Sequence, residues 1–274
     1  MARRRFLAFD LGAESGRAMV GAFDGGRLEL TQLHRFPNGA TEIAGGLHWD
    51  PPRLFAEMEV GLAAFAGRFG PTLDGIGVDT WGLDFGLLDR HGELLENPFS
   101  YRDRRTDGML ELALTRVAQQ EIYDRTGIQF LRINTLYQLL SLSVQRPEFL
   151  ARADALLMMA DLFNYLLTGI VRCEYTNATT TQFYDPRQRR WARELLEQLE
   201  LPVQVLTDVV DPGTTLGPIL PAVARKAGLQ AVPVIAPGTH DTASAVASVP
   251  ATKDGFVFIS SGTWSLLGVE LERP

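Results

Sequence analysis

The chain has 274 residues, 46% of them hydrophobic and 22% charged, with a net charge of -7. That length can bury one large core or two domains, and the acidic balance argues against a general nucleic-acid or membrane binder. No apolar run approaches the ~20 residues of a membrane span, the start MARRRFLAFD is a poor signal peptide, and one cysteine, Cys173, leaves no internal disulfide or multi-cysteine metal site, so a buried thiol and a cytoplasmic location are expected.

Residues 6–9 and 18–23 are apolar runs without polar alternation, which predicts two strands buried on both faces. Between them, Asp10-Leu11-Gly12-Ala13-Glu14-Ser15-Gly16-Arg17 reads either as a hairpin with a Gly-rich turn or as a loop whose N–H groups converge on phosphate. Ser15 adds a hydroxyl and Arg17 a charge. Asp10, acceptor-only when ionised, suits a magnesium ion or its waters. Residues 28–34 form a third strand and 38–49 a Gly-rich loop. Residues 54–69 form a helix started by Asp50 or the prolines after it.

Segment 74–89, DGIGVDTWGLDFGLLD, predicts strand, break, strand. Asp79, Thr80 and Asp84 interrupt it, and buried carboxylates are costly unless paired or ligand-bound. Either Asp79 and Asp84 face outward from an edge strand, or they join Trp81 and Gly82 in a wall that binds a polyol. In 98–107, PFSYRDRRTD, residues Arg102, Asp103, Arg104 and Arg105 line a mouth or form a solvated loop. Helices are expected over 110–125, 136–144, most of 149–169 with Gly169 as C-cap, and 188–201. The stretch 174–185, EYTNATTTQFYD, reads first as a polar surface loop.

A strand at 231–236 runs into 237–246, PGTHDTASAV, where a small-residue helix begins. Here Asp241 is an N-cap or a general base, its charge favoured by the helix dipole. His240 is a structural histidine or meets a substrate hydroxyl. Residues 256–271, FVFISSGTWSLLGVEL, then echo the first hairpin, and two such hairpins far apart imply two related domains facing one nucleotide. Phosphoryl transfer to an alcohol fits these parts. It runs through a loose transition state, so positioning and charge neutralisation dominate, and a base with a pKa of about 3.9 suffices.

In order and spacing, FDLGAESGR, GVDTWGLDF, YRDRRTDG, RINTLYQL, EYTNATTTQFYD, THDTASAV and SSGTWSLLG resemble the FGGY carbohydrate kinases of the actin-like ATPase superfamily, within them the branch acting on L-rhamnulose. The resemblance covers residues 5–271. It implies an α/β fold: an RNase H-like mixed sheet flanked by helices over 1–247, a linker at 248–255, and the first hairpin of a second, similar domain at 256–274. It implies ATP-dependent, Mg2+-assisted phosphorylation of the 1-hydroxyl of L-rhamnulose, in L-rhamnose breakdown.

The resemblance makes Asp241 the catalytic base and puts Gly82, His240, Asp241 and Thr242 at the ketose. Ala13, Glu14, Ser15, Gly16 and Arg17 form the first nucleotide-phosphate loop, Thr263 belongs to the second, and Asp10 stands near magnesium. Two rival readings are a kinase for another deoxy-ketose such as L-fuculose, and a sugar-binding fragment without catalysis. Glu14 stands where the superfamily has a small or hydroxylated residue, so its side chain is expected to point away from phosphate. Family members run well beyond 274 residues, so a truncated chain with little kinase activity is expected.

Overall fold

The computed structural model describes residues 3–253, 255–262 and 264–271. β1 (Arg4–Leu11), β2 (Ser15–Phe23) and β3 (Leu28–Pro37) form an antiparallel meander. Leu7, Phe9 and Leu11 of β1 and Ala18, Val20 and Ala22 of β2 are buried, while Ala8 is exposed. The expectation of burial on both faces is therefore corrected. A strand covered on one side buries every second residue, and Ala8 is an apolar residue on the open side.

After a small hairpin of β4 (Thr41–Ile43) and β5 (Gly46–His48), α1 (Pro51–Phe69) packs Leu54, Met58, Leu62 and Phe65 into the main core. Its start is as expected: prolines fill the first positions and the Asp50 carboxylate accepts the Arg53 N–H. Gly61 lets the helix approach the sheet. A Cβ there would stand 2.8 Å from Ala18 Cβ and 3.0 Å from a Phe9 ring carbon. Gly61→Val is expected to cost about 2 kcal/mol through overpacking, measured as a lower midpoint in urea.

β6 (Gly75–Thr80) joins parallel to β1, whereas β7 (Phe85–Leu88) leaves the sheet. Then come α2 (Met109–Arg116), α3 (Gln119–Thr126), α4 (Thr135–Gln145) and α5 (Pro147–Leu150). The single helix expected over 110–125 is two, broken where Val117 is extended and its N–H closes α2 on the Ala113 carbonyl. The helix expected over most of 149–169 is corrected further. β8 (Ala155–Met158) is a fully buried strand paired with β7, and the helix is confined to α6 (Met159–Thr168), ended by left-handed Gly169. A short apolar run carries no period that separates strand from helix.

β9 (Cys173–Glu174), α7 (Tyr175–Thr180), β10 (Tyr184–Asp185), β11 (Arg190–Trp191), α8 (Arg193–Gln198) and β12 (Val209–Val210) build the second half of the core. The surface loop expected at 174–185 is corrected: Glu174, Asn177, Thr181 and Gln182 are buried and α7 is helical. The helix expected over 188–201 is confined to α8. Cys173 is the expected buried thiol, pushed up from its usual pKa by burial.

β13 (Thr214–Pro218), α9 (Pro221–Ala227), β14 (Pro233–Ala236) and α10 (Asp241–Ala247) complete the arrangement. β14 lies parallel to β6, giving a six-stranded mixed sheet of order β13-β14-β6-β1-β2-β3 with α1, α6 and α9 in its core. β15 (Val257–Ser261) and β16 (Ser265–Val269) form a separate antiparallel hairpin. Among the described residues no helix is long and apolar enough to cross a membrane.

Candidate active site

The C-terminal ends of the parallel strands β1, β6 and β14 converge, and each delivers a carboxylate. Asp10, the penultimate residue of β1, lies in register with Asp79 of β6 on one side and Arg17 of β2 on the other. Asp10 and Arg17 form an ion pair at 2.7 Å. Beyond β14 the pairing with β6 continues for one more step. The Thr80 N–H donates to the Thr239 carbonyl at 2.9 Å, and Thr80 bridges His240. That step brings Asp241 toward Asp79. The Asp79 carboxyl is pushed up to about 8, first by burial and then by the negative charges of Asp10 and Asp241. β6 is central in the sheet, so Asp79 does not face outward from an edge strand.

The four residues expected at the ketose meet here. Gly82 is buried, and a Cβ there would come within 3.2 Å of the His240 ring and 3.1 Å of Thr180 Cγ2. His240 Nε2 stands 3.5 Å from Asp241 Oδ1, which also accepts the Thr242 N–H at 2.6 Å and its hydroxyl at 3.2 Å. Burial lowers His240 from its ordinary pKa despite the neighbouring Asp241 carboxylate, so the ring is neutral at pH 7. Asp241 is the first helical residue and His240 holds the N-cap position, so the reading of Asp241 as a plain N-cap is corrected.

The first phosphate loop is smaller than expected. Asp10 and Leu11 belong to β1, and Ser15, Gly16 and Arg17 already belong to β2, so the turn is Gly12, Ala13 and Glu14. The Gly12 N–H donates to the Ser15 carbonyl, while Asn38 grips the Gly12 and Glu14 carbonyls through its side chain and its N–H. Neither Gly12 nor Gly16 takes a positive φ. A Cβ on Gly16 would run into the Phe36 ring, so packing accounts for that glycine. Ala13 is buried in the main core and Glu14 is exposed. Thr263, expected in the second loop, lies outside the described residues.

The polyol wall is corrected at Asp84 and Trp81. Asp84 is wholly buried and its oxygens are taken by protein: Trp49 Nε1 at 2.6 Å, Trp81 Nε1 at 3.0 Å, the Tyr101 N–H at 3.1 Å and Gln138 Nε2 at 2.9 Å. Trp81 packs against Trp49 with ring centroids 4.3 Å apart. The arginine mouth is corrected too. Asp103 and Arg105 turn inward, with Arg105 donating to Gln138 Oε1 and lying over Phe99, while Arg102 and Arg104 are exposed.

Sequence reasoning missed Glu174, Thr176 and Thr239, which lie just behind His240. The available signal was the order of EYTN, an acid followed at two and three residues by side chains with donors at a helix start.

A model of the FGGY family of carbohydrate kinases, N-terminal domain, matches residues 5–248. The rhamnulokinase of Bacteroides thetaiotaomicron is 42% identical over 272 residues, which cover 99% of this chain and 56% of that protein. The rhamnulokinase of Pectobacterium atrosepticum is 42% identical over 276 residues, covering 100% and 54%. The chain therefore spans about half the length of the curated relatives it matches. Among solved structures, xylulose kinase from Rhodospirillum rubrum aligns with a TM-score of 0.81 at 19% identity, covering 93% of this chain and 54% of that one. Plasmodium falciparum glycerol kinase with ADP aligns with a TM-score of 0.80 at 18% identity, covering 97% and 54%. These likenesses show the fold, the expected α/β arrangement of a mixed sheet flanked by helices. On the family match and the identity to its relatives, the chain belongs to the FGGY family of carbohydrate kinases.

Proposed function

We propose that this chain forms the sugar-binding side of a kinase that transfers the γ-phosphoryl group of ATP to the 1-hydroxyl of L-rhamnulose, giving L-rhamnulose 1-phosphate. The observation that carries the reading is the meeting of Asp241 with Gly82 and His240 on one side and with the Asp10–Asp79 pair on the other. The ketose assignment follows the names of the curated relatives, which are rhamnulokinases.

Asp241 is the general base. Thr242 holds one of its oxygens, and the carboxylate orients the attacking hydroxyl and takes its proton late, as the new O–P bond forms. The neutral His240 ring meets a second hydroxyl of the ketose. Gly82 leaves the room that a side chain would fill.

The donor set fits magnesium. Hard carboxylate oxygens repel one another here, and among the described residues no three His, Cys, Asp or Glu groups converge tightly enough to hold an ion by themselves. Magnesium keeps several waters and shares phosphate oxygens, so Asp10 and Asp79 would hold it jointly with those ligands. When bound it neutralises charge on the transferring phosphates. The turn at residues 12–14 lies two residues beyond Asp10 and would face the phosphates of ATP.

Calorimetric titration of L-rhamnulose, L-fuculose and L-ribulose into the chain and its Asp241→Asn variant tests the proposal. Saturable binding of L-rhamnulose, weakened about tenfold or more in the variant by the loss of a charge-assisted hydrogen bond, is expected. Tighter binding of L-fuculose would move the assignment to that sugar. A cooperatively folded chain that binds none of the three overturns it.

A further inference from the structure

We propose that Glu174 is the residue that positions His240 and Asp241, a role that rests on the reading of this site as a ketose-binding site. Glu174 touches none of the reacting groups. It is wholly buried at the junction of β9 and α7. Its Oε1 accepts the Thr176 N–H at 2.9 Å. Its Oε2 accepts the Thr176 hydroxyl at 2.5 Å, the Thr239 N–H at 3.0 Å and the Thr239 hydroxyl at 2.7 Å.

The direction of these bonds explains why the residue is an acid. Thr176 Oγ1 accepts the His240 N–H at 3.1 Å, and Thr239 Oγ1 accepts Asn177 Nδ2 at 2.8 Å. A hydroxyl has one proton to give, so each threonine takes a hydrogen bond from its neighbour and passes its own proton on to Glu174. Both relays end on Oε2 while Oε1 takes the Thr176 N–H, so both atoms of the group must accept; a glutamine amide, whichever way it turns, sets its NH2 against one of these donors. The same peptide is held from the other side, because the Thr239 carbonyl accepts the Thr80 N–H of β6. Glu174 and β6 together set where the His240 ring stands against Gly82 and where Asp241 stands against Asp79. Asp161 extends the arrangement by accepting the Glu174 N–H at 3.1 Å.

The test compares the chain with Glu174→Gln, Thr176→Val and Thr176→Ser in three measurements: calorimetric titration of L-rhamnulose, thermal melting, and hydrogen exchange at the His240 and Thr239 amides. Glu174→Gln and Thr176→Val are expected to weaken sugar binding about tenfold and to speed exchange at His240 by a similar factor. Thr176→Ser, which keeps the hydroxyl, is expected to match the parent in both. If Glu174→Gln does not fold, the Val and Ser variants decide the question between them. Exchange at His240 that is unchanged in folded Thr176→Val, or equally fast in the Val and Ser variants, overturns the proposal. If the parent binds no ketose while exchange at His240 still follows the hydroxyl, the ketose reading fails and the positioning of the segment by Glu174 stands.

Discussion

Asp84→Asn is expected to destabilise the fold by about 3 kcal/mol, the scale for setting donor against donor in a buried network. Every partner of Asp84 is a donor: two indole N–H groups, the Tyr101 amide and the Gln138 amide nitrogen. An asparagine, whichever way it turns, points its own N–H groups at one of them. The donors come from segments far apart in the chain: Trp49 before α1, Trp81 after β6, Tyr101 from the following loop and Gln138 from α4. Burial pushes the Asp84 carboxyl up to about 6 and the four donors oppose that, so it is ionised at neutral pH as its surroundings require. Urea unfolding followed by tryptophan fluorescence measures the loss. A midpoint within error of the parent would mean that the network contributes nothing.

Asp79→Asn is expected to do the opposite at high pH. The folded chain holds the Asp79 proton up to about pH 8, first because the carboxyl is buried and then because ionisation would add a third charge beside Asp10 and Asp241. The unfolded chain releases it near 3.9. The stability this contributes is complete below pH 4 and falls away as pH rises through 8. The variant has no proton to lose. It is expected to melt close to the parent at pH 5 and about 5 °C above it at pH 9, for a difference of about 2 kcal/mol after screening in a partly open site. Melting curves of both proteins at the two pH values provide the check, and an equal offset at pH 5 and pH 9 would dismiss a raised Asp79 pKa.

Much of the fold was legible because the signals were local. Asp50 and the prolines start α1, Gly169 ends α6, and the two hairpins stand where their apolar runs are separated by small residues. The meeting of Gly82, His240 and Asp241 came through resemblance, since no periodicity brings residue 82 to residue 240. What escaped depended on partners distant in sequence. Residues 155–158 are a strand because β7 offers them a backbone to pair with, and ALLM alone is equally a turn of helix. Asp84 looked free to meet a sugar because the donors that occupy it lie up to 54 positions away. EYTNATTTQFYD looked solvated because its polar groups are satisfied by one another and by residue 239. Polarity alone does not separate a wet loop from a satisfied interior.

The place of β14 in the sheet sets an order on synthesis. β6 is flanked by β1, made long before it, and by β14, made long after it; the pairing of Ile76 with Val234 spans 158 residues (234 − 76). At the usual pace of translation, about 5–20 residues per second, the β14-facing edge of β6 waits roughly 8 to 30 seconds for its partner. During that time it is an open parallel edge beside the newly formed α1 and β1–β3 layer, the kind of template that pairs with whatever strand arrives first. Asp10 and Asp79 stand side by side once β1 and β6 are paired, but Asp241 joins them only after β14 is seated, so the carboxylate cluster at the end of β6 is completed late.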